Sequence, residues 1–190
     1  MKKDIRAIVD LIRKRDRFLV TSHVNPDGDS IASQLALRKI LLSLGKSCTI
    51  VNIHPVPRIY RFLPGAGEIL VRRRHSMRPY SALFVLDCGH PSRASGFLAR
   101  RTPPTVVNFD HHITNTGYGD LNWTDSGASS TCELIYDLAT RLGVAFDQDL
   151  ATALYTGIIT DTDFVGVAIN LLEQIEETEP MDDELVEASL

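Results

Sequence analysis

The stretch Val20-Thr21-Ser22-His23-Val24-Asn25-Pro26-Asp27-Gly28-Asp29-Ser30-Ile31-Ala32-Ser33 decides how this chain is read. With Phe18-Leu19 before it, an apolar run ends in a loop that carries one imidazole and two carboxylates within seven residues. From Ser30 onward, apolar residues recur at helical spacing (Ile31, Leu35, Leu37, Ile40, Leu41, Leu44), and Gly45 stands where such a helix would stop. The local order is strand, polar turn, helix. His23, Asp27 and Asp29 then lie at the strand's carboxyl end, where open α/β sheets bind their ligands. Asn25-Pro26 and Gly28 supply turn chemistry that can point those three side chains inward. An imidazole with carboxylates suits a hard-to-borderline divalent ion such as Mn²⁺ or Mg²⁺, with Zn²⁺ or Co²⁺ as alternatives. The plainer reading is a turn whose Asp29 or Ser30 caps the next helix.

The pattern recurs further along. Ser81-Ala82-Leu83-Phe84-Val85-Leu86 is nearly all apolar, as expected of a strand covered on both faces, and ends in Asp87-Cys88-Gly89-His90. Thr105-Val106-Val107-Asn108-Phe109 ends in Asp110-His111-His112. Around these, residues 3–15 read as an amphipathic opening helix on Ile5, Ile8, Val9 and Ile12, and Ser47–Ile53 as a second strand. His54-Pro55-Val56-Pro57 breaks that strand, and a short helix is expected from Pro57 to Leu63. The run Ser126–Glu133 opens a helix through Leu142 that Gly143 stops, and Asp147–Thr160 makes a further helix closing on Asp161. Strands alternating with helices at this spacing predict an α/β fold, a doubly wound, mostly parallel sheet flanked by helices. Three strand ends then place acid or imidazole on one edge, and Asp161, in Gly157-Ile158-Ile159-Thr160-Asp161, adds a fourth element. His90 is close enough to Asp87 to reach such a site; His54 and His75 read as loop residues.

Bulk properties narrow the classes. At 190 residues, 44% hydrophobic and 23% charged, the chain suits one soluble domain, or a domain with an appendage. Its apolar runs are far short of a membrane span, and its basic start lacks a signal peptide's apolar core. Cys48, Cys88 and Cys132 are isolated, which suggests neither a disulfide framework nor a thiolate zinc site, and makes a reducing cytoplasm the expected location. The net charge of −4 hides an asymmetry: twelve Lys/Arg against two acids between Ser30 and Phe109, then twelve acids and no Lys or Arg from Leu142 to Leu190. An acidic total argues against duplex DNA as partner. Arg58, Arg61, Arg72, Arg73, Arg74 and Arg78 either greet a phosphorylated ligand or form a solvated face.

Taken in order, His-x-Asn-Pro-Asp-Gly-Asp-Ser, the strand-end Asp87-Cys-Gly, Asp110-His111-His112 and Gly-Ile-Ile-Thr-Asp161-Thr make the chain resemble the DHH phosphoesterase superfamily. The likeness is greatest to its bacterial oligoribonuclease/pAp-phosphatase branch, related to RecJ exonuclease and family II inorganic pyrophosphatase, and covers roughly residues 1–162. The resemblance implies two Mn²⁺ ions, with Mg²⁺ or Co²⁺ as substitutes. His23, Asp27 and Asp87 would hold one ion. Asp29, Asp87, His111 and Asp161 would hold the other, with Asp87 bridging. His112 would face the scissile phosphate and Asp110 would orient the histidines from behind. Short single-stranded oligonucleotides or small nucleotides such as pAp would be the substrates. Two alternatives stand beside this: an inorganic pyrophosphatase-like hydrolase, and a catalytically impaired metal-binding module that forms a homodimer. The expected organisation is a DHH domain over residues 1–165 and an acidic helical tail over 166–190. The second, substrate-gripping domain of that branch is not expected within these residues, and the sequence after Thr162 departs from the branch's usual pattern.

Overall fold

In a computed structural model, residues 2–72, 80–94 and 105–161 are described; the predicted tail, Arg73, Arg74, His75 and Arg78 lie outside them. Four helices are present: α1 (Lys2–Lys14), α2 (Gly28–Ser43), α3 (Thr131–Leu142) and α4 (Gln148–Asp161). Six strands, β1 (Phe18–Thr21), β2 (Cys48–Asn52), β3 (Leu70–Val71), β4 (Ala82–Leu86), β5 (Val106–Asp110) and β6 (Leu121–Thr124), form one sheet in the order β3-β2-β1-β4-β5-β6. Every pairing is parallel, so all carboxyl ends share one edge. The order reverses between β1 and β4, which is the position where such sheets open a crevice.

Alternation along the strands sorts the core. Phe18, Val20, Ile50, Phe84, Leu86, Val107 and Phe109 join the apolar sides of all four helices in the larger core, while Leu19, Val51, Leu83, Val85 and Cys88 form a smaller cluster on the opposite face. Across β1, β4, β5 and β6, Phe18, Phe84, Phe109 and Trp123 make a row of ring contacts at centroid distances of 5.4, 6.2 and 5.4 Å. At these separations aromatic pairs add to their burial, and the row ties the four strands at one level.

The boundaries differ from expectation in instructive places. Helix α2 begins at Gly28 with Asp27 as its cap, because the Asp27 carboxylate accepts from Ser30 N at 3.0 Å. That leaves Asp29, expected as a cap, free to turn inward. Helix α3 begins five residues later than predicted. Gly127 N and Ala128 N are taken into a turn by Asp125, and Ser130 then caps with Glu133 reaching back to Ser129 N. The short helix after Pro57 contracts to a single turn over Arg58–Tyr60. Strands β3 and β6 were not anticipated. Among the described residues no helix is long and apolar enough to cross a membrane.

Candidate metal centre

All eight singled-out residues reach the carboxyl edge, each by a different local device. His23 leaves β1 with Nδ1 2.8 Å from its neighbour's carbonyl, Val24 O. That bond places the proton on Nδ1 and turns the Nε2 lone pair inward. Nε2 lies 3.5 Å from Asp27 Oδ2 and 3.4 Å from Asp87 Oδ2. The loop between them is pinned where Asn25, left-handed at φ 55, donates its N–H to His54 Nδ1 at 2.9 Å. Asn is among the residues that tolerate this region.

Asp29 is fully buried in the first turn of α2 and is held by the start of α3. Thr131 N donates to Oδ2 at 2.7 Å and Cys132 N to Oδ1 at 2.9 Å. The positive end of a helix dipole thus meets a carboxylate. The approach requires Gly157: a Cβ there would fall on Cys132 Sγ and come within 2.9 Å of Asp29 Oδ1. Gly28 likewise lets Thr160 of α4 come close, and α4 ends on Asp161.

Asp87 sits at the centre. It follows β4 in the left-handed region at φ 53, a strained geometry of the kind functional sites retain. Its Oδ2 faces His23, while its Oδ1 lies 3.7 Å from both His111 Nε2 and His112 Nδ1 and accepts from Thr131 Oγ1 at 3.2 Å. His111 Nε2 stands 2.8 Å from Asp161 Oδ2 without the alignment of a hydrogen bond, so that two donor atoms converge. His112 Nδ1 bonds Asp110 Oδ1 at 2.7 Å, and its side chain is the most exposed of the three histidines at 37%. The donor atoms form three groups, His23-Asp27-Asp87, Asp29-His111-Asp161 and Asp87-His111-His112, each within 4.8 Å across.

Four carboxylates converge here with no lysine or arginine among them, and the titrations show the strain. Burial disfavours a charged His23, yet its contacts with Asp27 and Asp87 prevail and raise it to about 10. His111, also opposed by burial, is raised to about 9 by the Asp161, Asp29 and Asp87 carboxylates. Burial, reinforced by the Asp87 charge, pushes Asp29 up to about 8 despite its hydrogen bonds. Burial opposes an ionised Asp27, but His23 and the Ser30 N–H keep it low. The cluster therefore holds protons at neutral pH that a bound cation would displace. Burial raises Cys48 to about 12 and Cys88 to about 11, which removes both as thiolate donors at neutral pH.

A second layer of residues escaped the motif reading. Asn115 donates to Asp110 Oδ2 at 2.5 Å and to Asn108 Oδ1 at 2.8 Å; Asn108 in turn donates to Tyr118 OH, which bonds Cys88 O. The only local signal is that Asn115 lies three residues beyond His112 in a turn sequence. His90, which the motif spacing allowed near the site, turns instead to Ser92 Oγ at 2.7 Å.

A parallel α/β sheet whose switch point gathers aspartates and histidines from β1, β4, β5 and α4 defines a hydrolase-type centre of the DHH architecture. The model of the DHH family, N-terminal domain, matches residues 17–158, and the chain belongs to that family. Among curated relatives, the bifunctional oligoribonuclease and PAP phosphatase NrnA of Thermus thermophilus is 38% identical over 143 residues, 75% of this chain and 42% of that protein. Its namesake from Bacillus subtilis is 28% identical over 167 residues, 85% of this chain and 50% of that protein. The chain thus spans about half the length of the curated relatives it matches. Of solved structures, an exopolyphosphatase-related protein from Bacteroides fragilis superposes with a TM-score of 0.84 at 24% identity, over 96% of this chain and 59% of its own. The exonuclease RecJ bound to manganese gives 0.58 at 18% identity, over 91% and 46%.

Proposed function

We propose that the chain is a metal-dependent phosphoesterase that hydrolyses short oligoribonucleotides or small nucleotides such as pAp at a two-ion centre. The observation that carries this reading is Asp87, whose two oxygens turn to two different groups of donors. Mixed imidazole and carboxylate donors suit Mn²⁺ first, with Mg²⁺ or Co²⁺ as substitutes, and the uncompensated carboxylates and the unaligned His111 Nε2 fit such an ion. His23, Asp27 and Asp87 would hold one ion; Asp29, His111 and Asp161, with Asp87 shared, would hold the other. A bound pair would neutralise phosphoryl charge and acidify water at neutral pH. The names of the NrnA relatives, and the manganese in the RecJ neighbour, support the substrate class and the ion.

The chain's own residues supply orientation and a proton. The Val24 carbonyl and the α3 amides fix His23 and Asp29 before any ligand arrives, which limits reorganisation on binding. His112, raised by its hydrogen bond to Asp110 against the pull of burial, keeps Nδ1 engaged and leaves Nε2 to donate toward a leaving oxygen.

The test is turnover of dinucleotides, pAp and pyrophosphate by the 190-residue chain, in Mn²⁺ and after exhaustive chelation. Hydrolysis of the nucleotides that is lost in chelator and restored by Mn²⁺ is expected. Activity surviving chelation overturns the ion mechanism. Faster pyrophosphate turnover, or ion binding with no turnover of any substrate, overturns the substrate assignment.

A further inference from the structure

Beside the centre, the segment that leaves β2 carries chemistry the centre does not use. Because β2 is parallel to β1, this segment emerges at the same edge as His23, and His54 joins it to the β1 loop through Asn25 N. It runs Arg58-Ile59-Tyr60-Arg61-Phe62, cations interleaved with large apolar side chains. Ile59 is 70% exposed and Phe62 65% exposed. Neither sits on a loose loop. Tyr60 N, Arg61 N and Leu63 N close successive turns on Pro57, Arg58 and Tyr60 carbonyls at 3.0, 3.3 and 3.2 Å, and Leu63 is buried beneath. Next to this ledge lies a shallow hollow of about 240 Å³ lined by Pro55, Val56, Arg61, Ala66, Gly67 and Ile69.

Charge decides what the ledge fits. Arg38 pairs with Glu68, Lys39 with Asp147 and Asp149, and Arg141 with Asp137. Arg58, Arg61 and Arg72 are exposed and make no carboxylate pair among the described residues. Arg61 uses only Nε, on Val56 O, leaving the rest of its guanidinium available. An aromatic face with unpaired arginines beside it is the composition that takes one unpaired base and its phosphate: the base stacks, the phosphate is neutralised, and no sequence is read. A duplex presents no such free base face.

We propose that this ledge seats a second nucleotide of a short single-stranded oligonucleotide whose scissile phosphate lies at the metal centre, with the base on Phe62 and the phosphate against Arg58 and Arg61. The assignment rests on the phosphoesterase reading of the centre and names what it grips beyond the reacting group. It makes the β2 side of the edge the direction in which the substrate chain runs.

The experiment uses the full 190-residue chain, with Phe62→Ala, Phe62→Trp and the double variant Arg58→Ala/Arg61→Ala, a fluorescent triadenylate, and three analogues each abasic at one position. Binding is read by anisotropy in chelator, Mn²⁺ affinity by calorimetry and assembly by size exclusion. Phe62→Ala should weaken triadenylate binding roughly ten- to hundredfold, Phe62→Trp should retain it, and one abasic analogue should be indifferent to Phe62→Ala. The double variant should lower the salt slope by about 1.4, from about 0.7 per lost phosphate contact on a single strand. Mn²⁺ affinity should not move. Equal affinity of Phe62→Ala and the unaltered chain overturns the ledge, as does equal loss on all three abasic analogues. A change in assembly without a change in RNA affinity makes it an interface between copies instead. Mn²⁺ binding without triadenylate binding sinks the ledge and spares the centre; triadenylate binding without Mn²⁺ binding does the reverse.

Discussion

Two histidines on the same sheet edge are held in opposite ways. His23, 4% exposed, is fixed by the carbonyl of its own neighbour, and its loop by the backbone N–H of Asn25. His112, with a side chain 37% exposed, is fixed by Asp110, which leans on Asn115, itself bonded to Asn108. The β1 arm draws its geometry from main chain, which few single substitutions reach. The β5 arm draws it from a relay of side chains, which one substitution can cut. Asp87 stands between the arms and belongs to both.

The largest effect should therefore come from removing that shared group. Asp87→Asn keeps a residue that tolerates φ 53 and keeps the shape, so its loss reports charge rather than backbone. It should weaken Mn²⁺ binding by more than about a thousandfold, beyond the ten- to hundredfold typical of a lost outer partner. His23→Ala and Asp29→Ala should each cost less, because each touches one arm. Calorimetry giving equal losses for the three variants would remove Asp87 from the shared position.

Acid should be nearly as damaging, and it tests the two arms together. His23 and His111, raised to about 10 and 9, and Asp29, raised to about 8, hold protons at neutral pH until an ion displaces them. Mn²⁺ affinity should then rise by about a hundredfold from pH 6 to pH 8, one net proton released per ion at the least. The sign reverses for folding in chelator. Groups whose folded values lie above their unfolded ones lend stability at low pH and lose it as pH climbs through those values. Between pH 6 and pH 9 the melting temperature should fall by about 5 °C or more in chelator, and rise with pH when Mn²⁺ is in excess. Parallel curves in the two media would show that these groups do not bind the ion.

Gly157→Ala comes next. The added methyl must displace Cys132 Sγ and press on Asp29, inside a contact between α4 and the start of α3 that has no slack. Overpacking of this kind costs about 1–3 kcal/mol. Chemical denaturation should show that loss, with Mn²⁺ affinity falling in step because Asp29 moves. Unchanged stability would mean the helices part easily and the close approach is not what places Asp29.

How far the sequence foretold this depends on whether a feature is local. The strands β1, β4 and β5 were legible because a buried parallel strand is a continuous apolar run, and their carboxyl ends because Asp and His follow each run directly. Strand β3 has two residues, and β6 reads Leu-Asn-Trp-Thr with only Trp123 well buried, so neither left a pattern to detect. The cap of α2 was misplaced because Asp27, Asp29 and Ser30 are all good caps. The choice falls to Thr131 and Cys132, a hundred residues away, whose N–H groups claim Asp29. The left-handed turn at Asp87 and the Asn115 relay are likewise products of tertiary packing. No single-sequence periodicity encodes which amide will lie against Asp110.

The smallest predicted effect is the sharpest on the contrast between the arms. Asp110 is fully buried, and its Oδ2 depends on Asn115 Nδ2, while Gly89 packs so near that a Cβ there would lie 3.2 Å from that same oxygen. Cutting Asn115 to Ala leaves a buried carboxylate oxygen short of a donor, and the carboxylate is free to swing off His112. Because His112 is read as the proton donor rather than an ion ligand, kcat on a dinucleotide should drop about tenfold, at the low end for an outer partner. KM and Mn²⁺ affinity should stay within about twofold. Tyr118→Phe should do less, since Asn108 keeps its bonds to the Val85 and Cys88 carbonyls at 3.1 and 3.3 Å. The matching cut on the other arm is His54→Ala, which removes only an outer acceptor of the Asn25 N–H at a site where water can take its place. It should leave kcat within about twofold. A loss at His54 as large as that at Asn115 would show that both arms are tuned by side chains, and the division between a main-chain arm and a side-chain arm would fall.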